Sequence, residues 1–153
     1  MALMVSVQHV QERKLAAVRR RVTIGEVASV WRPALDQVWN FLRSQPVLRT
    51  DGHNVFLYHH PEHRDLPMDV DFGVEVTRSF PTSGEVFATA TPAGEVATAV
   101  HLGSYDRLQE THDAIHAWAK GHQRPFAGLS WEIYGDWSDD PSKLETTVAY
   151  LLG

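Results

Sequence analysis

The sequence predicts an α+β fold: a strand-strand-helix-strand-strand module used twice, as a tandem pseudo-twofold repeat. The product is an antiparallel sheet of about eight strands with two helices on one face. Three observations lead there. Short apolar runs with period-two alternation recur along the chain, as in Trp131-Glu132-Ile133-Tyr134. Two longer stretches carry apolar residues at helical spacing. Above all, the order of these elements in residues 1–78 returns in residues 84–153.

In the first copy, residues 5–10 read as a strand, 11–13 as a polar turn and 14–18 as a second strand. A helix over 23–42 follows, then strands at 55–58 and 70–76. The second copy repeats this with strands at 86–91 and 95–99, a helix over 104–120, and strands at 131–134 and 146–152. Val96 lies 81 residues after Leu15, Tyr134 lies 76 after Tyr58, and Leu151 lies 75 after Val76, a drift that a few loop deletions explain. Pro92-Ala93-Gly94 is a strong turn signal and predicts a sharp hairpin. Ser104 is placed to cap the second helix, which carries Leu108, His112, Ile115 and Trp118 along one side. The first helix carries Val27, Val30, Trp31, Leu35, Val38, Trp39 and Leu42, and Pro33 predicts a start near Arg32 or a kink. Pro46 stops the first helix; Gly121 and Pro125 stop the second.

A chain of 153 residues suits one domain spanning residues 1–153. Apolar content of 43% and charged content of 22% are those of an ordinary globular protein. There are no cysteines, which excludes disulfides, thiolate metal sites and cysteine nucleophiles. No stretch approaches the about 20 apolar residues that span a bilayer, and residues 1–10 lack the basic flank of a signal peptide. The expectation is a cytoplasmic protein with no membrane partner. A net charge of −5 argues against direct nucleic-acid binding. The basic cluster Arg13, Lys14, Arg19, Arg20 and Arg21 reads as a solvated strand edge, where charge discourages aggregation.

Glu132 stands alone among apolar neighbours. In a strand, Glu132 and Tyr134 share one face and Trp131 and Ile133 the other. An ionised carboxylate is rarely buried without partners, so Glu132 either meets water or lines a cavity that takes a positive or hydrogen-bonding guest. The repeat aligns Phe56 and Tyr58 with Glu132 and Tyr134. If both helices cover that face, a groove forms with three aromatic rings and one carboxylate on its floor. Trp39 or Trp31 from the first helix and His112 or Trp118 from the second are candidate walls, with Tyr105 at the start of the second helix.

The nine histidines invite a metal reading. His112 and His116 stand at i and i+4, yet no spacing fixes a third ligand and no zinc-protease glutamate follows His112, so no metal site is expected. His59-His60-Pro61 reads as the start of an exposed loop. No Gly-x-Ser-x-Gly elbow or phosphate-binding glycine loop is present, and no cofactor is implied. A carboxyl in an apolar pocket is also a candidate general acid–base, with His112 and Tyr105 as helpers.

The motifs Pro92-Ala93-Gly94-Glu95-Val96, His101-Leu102-Gly103-Ser104-Tyr105, Trp131-Glu132-Ile133-Tyr134 and Glu145-Thr146-Thr147-Val148 together resemble the GyrI-like small-molecule-binding family. That family is related to the effector-binding domains of AraC-type and multidrug-sensing MerR-type regulators. Val55-Phe56-Leu57-Tyr58-His59-His60-Pro61 and Val70-Asp71-Phe72-Gly73-Val74-Glu75-Val76 add to the resemblance, which covers nearly the whole chain. It implies a pocket between the helices, with Glu132 meeting a cationic or polar ligand, and a stand-alone member, since Val5 already belongs to the first strand. The expected function is binding of flat aromatic or cationic small molecules by Glu132, Tyr134, Tyr58, Phe56, Trp39, His112 and Tyr105. Two alternatives follow from the same family. One is a hydrolase of cyclopropane-bearing DNA alkylators with Glu132 as acid–base; the other is a gyrase-inhibitor-like or regulatory protein acting through a protein partner.

Overall fold

The apolar alternation becomes eight strands: β1 (Ser6–Val10), β2 (Arg13–Val22), β3 (Arg49–His59), β4 (Met68–Val76), β5 (Phe87–Thr91), β6 (Gly94–Leu102), β7 (Phe126–Tyr134) and β8 (Glu145–Leu152). The two helices are α1 (Val27–Arg43) and α2 (Leu108–Gly121). The structure is a computed structural model describing residues 4–63 and 65–153, with the side chain of Asp51 outside that description. All strands join one antiparallel sheet in the order β1-β6-β8-β7-β3-β4-β2-β5. From the β3–β7 seam outward, both directions repeat the same sequence of roles, as the α+β reading requires.

The expected hairpins do not form. β1 pairs with β6 and β2 with β5, so the first strand of each copy is carried by the other copy. The register runs on from Val10↔Gly94 to Arg13↔Thr91, so β1–β2 and β5–β6 act as two bent ribbons paired along their length. A two-residue hairpin needs positive φ in its turn. Proline is locked near −65°, and neither Gln11 nor Glu12 adopts positive φ. Each ribbon therefore bends at its turn and pairs along its length with the other copy.

This exchange buries a second face. Leu15, Val55, Leu57, Val96, Trp131 and Ala149 cluster away from the helices. On the helix face, α1 packs mainly on β2 and β4, and α2 on β6 and β8. Leu35, Val38 and Leu42 of α1 meet Val18, Val70 and Phe72, while Leu108 and Ile115 of α2 meet Ala97, Val148 and Tyr150. The central strands β3 and β7 are left as a floor between the two helices.

Helix starts differ in detail from expectation. α1 is preceded by a short 3-10 turn, Ile24–Glu26, whose Glu26 carboxylate accepts from the Thr23 amide at 2.9 Å and hydroxyl at 2.7 Å. Pro33 lies inside α1, which neither starts nor breaks there. The helical bond it removes falls at exposed Ser29, where water can replace it. Ser104 makes no side-chain cap; its carbonyl instead accepts from His101 Nε2 at 2.8 Å. His101 Nδ1 then accepts from the Thr111 hydroxyl at 2.9 Å, tying the end of β6 to α2.

Of the basic cluster, Arg13 and Lys14 lie where β2 pairs with β5, whereas Arg19, Arg20 and Arg21 lie beyond the end of β5, where β2 pairs with β4 alone and keeps an open edge. Four of its charges meet carboxylates: Arg13–Glu75, Arg19–Asp71, Arg20–Glu85 and Arg21–Asp69. Among the described residues no helix is long and apolar enough to cross a membrane.

Candidate functional site

β7 and β3 pair with Phe56 opposite Glu132 and Tyr58 opposite Ser130. Cross-strand partners point to one face, so these four side chains rise toward the space between α1 and α2. Glu132 is 4% exposed. Its Oε1 accepts from the Tyr58 hydroxyl at 2.6 Å and the Tyr134 hydroxyl at 2.7 Å. Its Oε2 lies 2.7 Å from His112 Nε2 of α2. A carboxylate only accepts, so Nε2 of His112 is the donor when Glu132 is ionised. His112 Nδ1 lies 2.7 Å from the Tyr150 hydroxyl, which is also 3.3 Å from His116 Nε2.

The space above Glu132 has two lobes that meet over Tyr58, Glu132 and His112. The larger, about 720 Å³, is walled by Trp31 and Trp39 of α1, Tyr105, Tyr134 and the exposed Trp137. Trp39 is held by its indole N–H to Asn54 Oδ1 at 3.2 Å. Phe56 packs edge-on against Tyr134 at 4.9 Å between centroids, and Tyr105 does the same at 5.5 Å. The smaller lobe, about 460 Å³, is lined by His60, His116, Ser130, Tyr150, Asp113 and Met68. Among the described residues, neither lobe is lined by a lysine or arginine, whereas Asp106 and Asp136 line the larger lobe.

Burial and the neighbouring Glu132 charge push the Tyr58 and Tyr134 hydroxyls well above the ordinary phenol value of 10.0. Both therefore stay protonated as donors to Glu132. His60 is pushed down to about 4, first by desolvation and then by His116 and His112. Its outer edge stays open to water, but its ring stacks on Tyr58 and Tyr150, and Nε2 lies 2.6 Å from Ser130 Oγ. The His60 amide donates to the Gly128 carbonyl at 2.8 Å, at a β7 irregularity where Gly128 takes φ of 92°. Only glycine adopts that conformation readily.

The structure brings all seven of the residues expected at the site, Glu132, Tyr134, Tyr58, Phe56, Trp39, His112 and Tyr105, around this one space. Trp31 joins the wall as well. Trp118 does not; it packs against the core cluster of Ile115, Val148 and Tyr150 and stacks on His122 at 4.5 Å. The sequence reading missed His60, His116, Ser130, Tyr150 and Trp137. His60 does open an exposed loop, yet its ring turns inward. Tyr150 gave no signal of its own, since an aromatic residue in an apolar strand reads as core; β7 and β8 are neighbours, and the fold sets its hydroxyl against His112. Among the described residues no three potential metal ligands gather at one point.

Two amphipathic helices straddling the seam of a duplicated antiparallel sheet, with a cavity over that seam, define a small-molecule-binding domain architecture. The chain belongs to the GyrI-like small molecule binding domain family, whose model matches residues 3–150. Its fold is similar to that of the EcmrR C-terminal domain in a crystal structure, at TM-score 0.81 and 21% identity, over 100% of this chain and 99% of that one. SAV2435 bound to tetraphenylphosphonium is also similar, at TM-score 0.73 and 11% identity, over 98% and 94%. A hydrolase encoded by lin2189 from Listeria innocua follows at TM-score 0.65 and 12% identity, over 97% and 91%. At these identities the likeness is one of fold. No curated protein matches the sequence.

Proposed function

We propose that the protein binds flat aromatic, cationic small molecules between its helices, with Glu132 as the buried anchor. The observation that carries this is a carboxylate, 4% exposed, oriented by two neutral phenols at the floor of an aromatic cavity. Neutral phenols hold one carboxylate oxygen and His112 the other, so an arriving cation meets a fixed negative group at the floor of the cavity. Each favourable aromatic face adds about 0.5–2 kcal/mol for a cation stacked on it. SAV2435, of similar fold, is seen with tetraphenylphosphonium, an aromatic cation. Direct DNA binding is not expected, because four of the five charges in the basic cluster already meet carboxylates. A fluorescent dye-displacement titration tests the proposal with matched planar pairs, one cationic and one neutral. The cationic member is expected to displace dye at least tenfold more effectively; equal displacement by both contradicts the reading.

A hydrolytic reading is supported by one contact, His112 Nε2 to Glu132 Oε2 at 2.7 Å, beside the same cavity. Such a pair can take a proton from water as its oxygen bonds to an activated cyclopropane carbon; the ring C–C bond breaks and its carbon end takes a proton. A product one water heavier than the substrate, lost in Glu132→Gln while binding persists, identifies turnover. Stoichiometric capture without product leaves a binding protein.

A further inference from the structure

The second lobe is not needed for a flat aromatic cation. The tryptophan lobe already supplies the stacking rings, and Glu132 lies at the junction of the two lobes rather than in either alone. Beyond that junction the smaller lobe is lined by His60, His116 and Ser130 together with Met68 and Tyr150. Its mouth carries Asp113 of α2, held by the Gln109 side-chain amide at 2.9 Å. Resting on the reading of Glu132 as ligand anchor, we propose that the ligand is an elongated dication: a planar aromatic head in the tryptophan lobe, joined by a flexible chain to an alkylammonium in the histidine lobe.

Three features support an ammonium at that end. Among the described residues no lysine or arginine lines the lobe, and the carboxylates of Asp113 and Glu132 both face it. His60 is held neutral at physiological pH by its packing and its histidine neighbours, which makes its ring a hydrogen-bonding wall and removes a repulsive charge. An ammonium has three donors and no acceptor, and two carboxylates, Glu132 at the floor and Asp113 at the mouth, lie at different heights along this lobe. The volume of about 460 Å³ is too large for the ammonium group alone and suits it together with its chain.

The test uses an aminoacridine and the same acridine carrying an aminobutyl chain on its exocyclic nitrogen, titrated by fluorescence at fixed salt. The chain is expected to raise affinity about tenfold in the wild type. A hydroxybutyl chain, equal in length but neutral, is expected to gain less than threefold. Asp113→Asn and His60→Trp, the second of which fills the lobe from its exposed rim, are each expected to remove most of the aminobutyl gain, read as the ratio of the two acridine affinities within the same variant. Glu110→Gln, which removes an exposed α2 carboxylate outside both lobes, controls for long-range attraction by the net negative chain. Equal affinities for the plain and chain-bearing acridines overturn the dication, as does an aminobutyl gain that survives Asp113→Asn and His60→Trp or falls equally in Glu110→Gln. If no acridine binds at all, the anchor reading fails with it.

Discussion

Phe56 and Glu132 are direct cross-strand partners at the seam where the two copies of the fold meet. One copy thus contributes a ring, and the other a carboxylate, to adjacent positions on the same floor. The duplication supplies symmetry of shape, and this pair breaks the symmetry of chemistry. Tyr58 crosses from the first copy to donate to the Glu132 carboxylate at 2.6 Å, so the site belongs to both halves.

That dependence extends to folding. We propose that residues 1–78 and 84–153 fold as one cooperative unit. β1 is bonded only to β6, and β5 to β2, among the named strands, so each half alone loses a strand partner and exposes Leu15 or Val96. Limited proteolysis is expected to yield no stable half, and each fragment expressed alone is expected to lack cooperative thermal unfolding. A fragment that melts cooperatively contradicts this.

The acid stability of the fold is expected to hinge on Asp71. Burial raises its pKa, but hydrogen bonds from His59 at 2.9 Å and Arg19 at 2.6 Å prevail and hold it below the ordinary 3.8. A depressed carboxyl contributes stability that is fully present above pH 3.8 and is lost as pH falls through the lower folded value. Asp71→Asn is expected to cost about 2 kcal/mol at neutral pH and to flatten the acid limb of a urea-midpoint profile. An acid limb identical to that of the wild type argues against the triad.

At the alkaline end, Tyr58 and Tyr134 act in the opposite sense. Their folded values stand above 10.0, so their contribution is intact below pH 10 and declines as pH rises beyond it. Ultraviolet titration of the folded protein is expected to show the same phenolate amplitude near pH 10 for the wild type and for Tyr58→Phe. A loss of amplitude in the variant means that Tyr58 already ionises in the fold.

Thr146 is fully buried on β8, and its hydroxyl has no hydrogen-bond partner among the described residues. Replacing the hydroxyl by a methyl of similar shape removes a desolvation cost. Thr146→Val is therefore expected to stabilise by about 1 kcal/mol, read from thermal or urea unfolding. Destabilisation by that amount points to a hidden partner.

Much of the architecture was legible because it rests on local signals. Two periodicities, two sets of stop residues and one repeated order were enough to place the helices over one face. The exchange of β1 and β5 was not legible. Pro92-Ala93-Gly94 marks a change of direction, but the choice between reversing and bending depends on which copy offers a partner edge, and that is a tertiary property. At the site, Glu132 announced itself as a carboxylate in an apolar strand. His60 did not, because its inward turn depends on the Gly128 carbonyl 68 residues away. Tyr150 was hidden for the converse reason: an aromatic in an apolar strand reads as core, and only the packing of α2 brings His112 against its hydroxyl.

The measurement that tests the central claim most directly is calorimetric titration of a planar aromatic cation and its neutral isostere into wild type and Glu132→Gln. The substitution keeps the shape of the side chain and removes its charge. The wild type is expected to prefer the cation by at least tenfold, and Glu132→Gln to lose that preference while binding the neutral ligand within about threefold of wild type. An undiminished preference for the cation in Glu132→Gln would contradict the account.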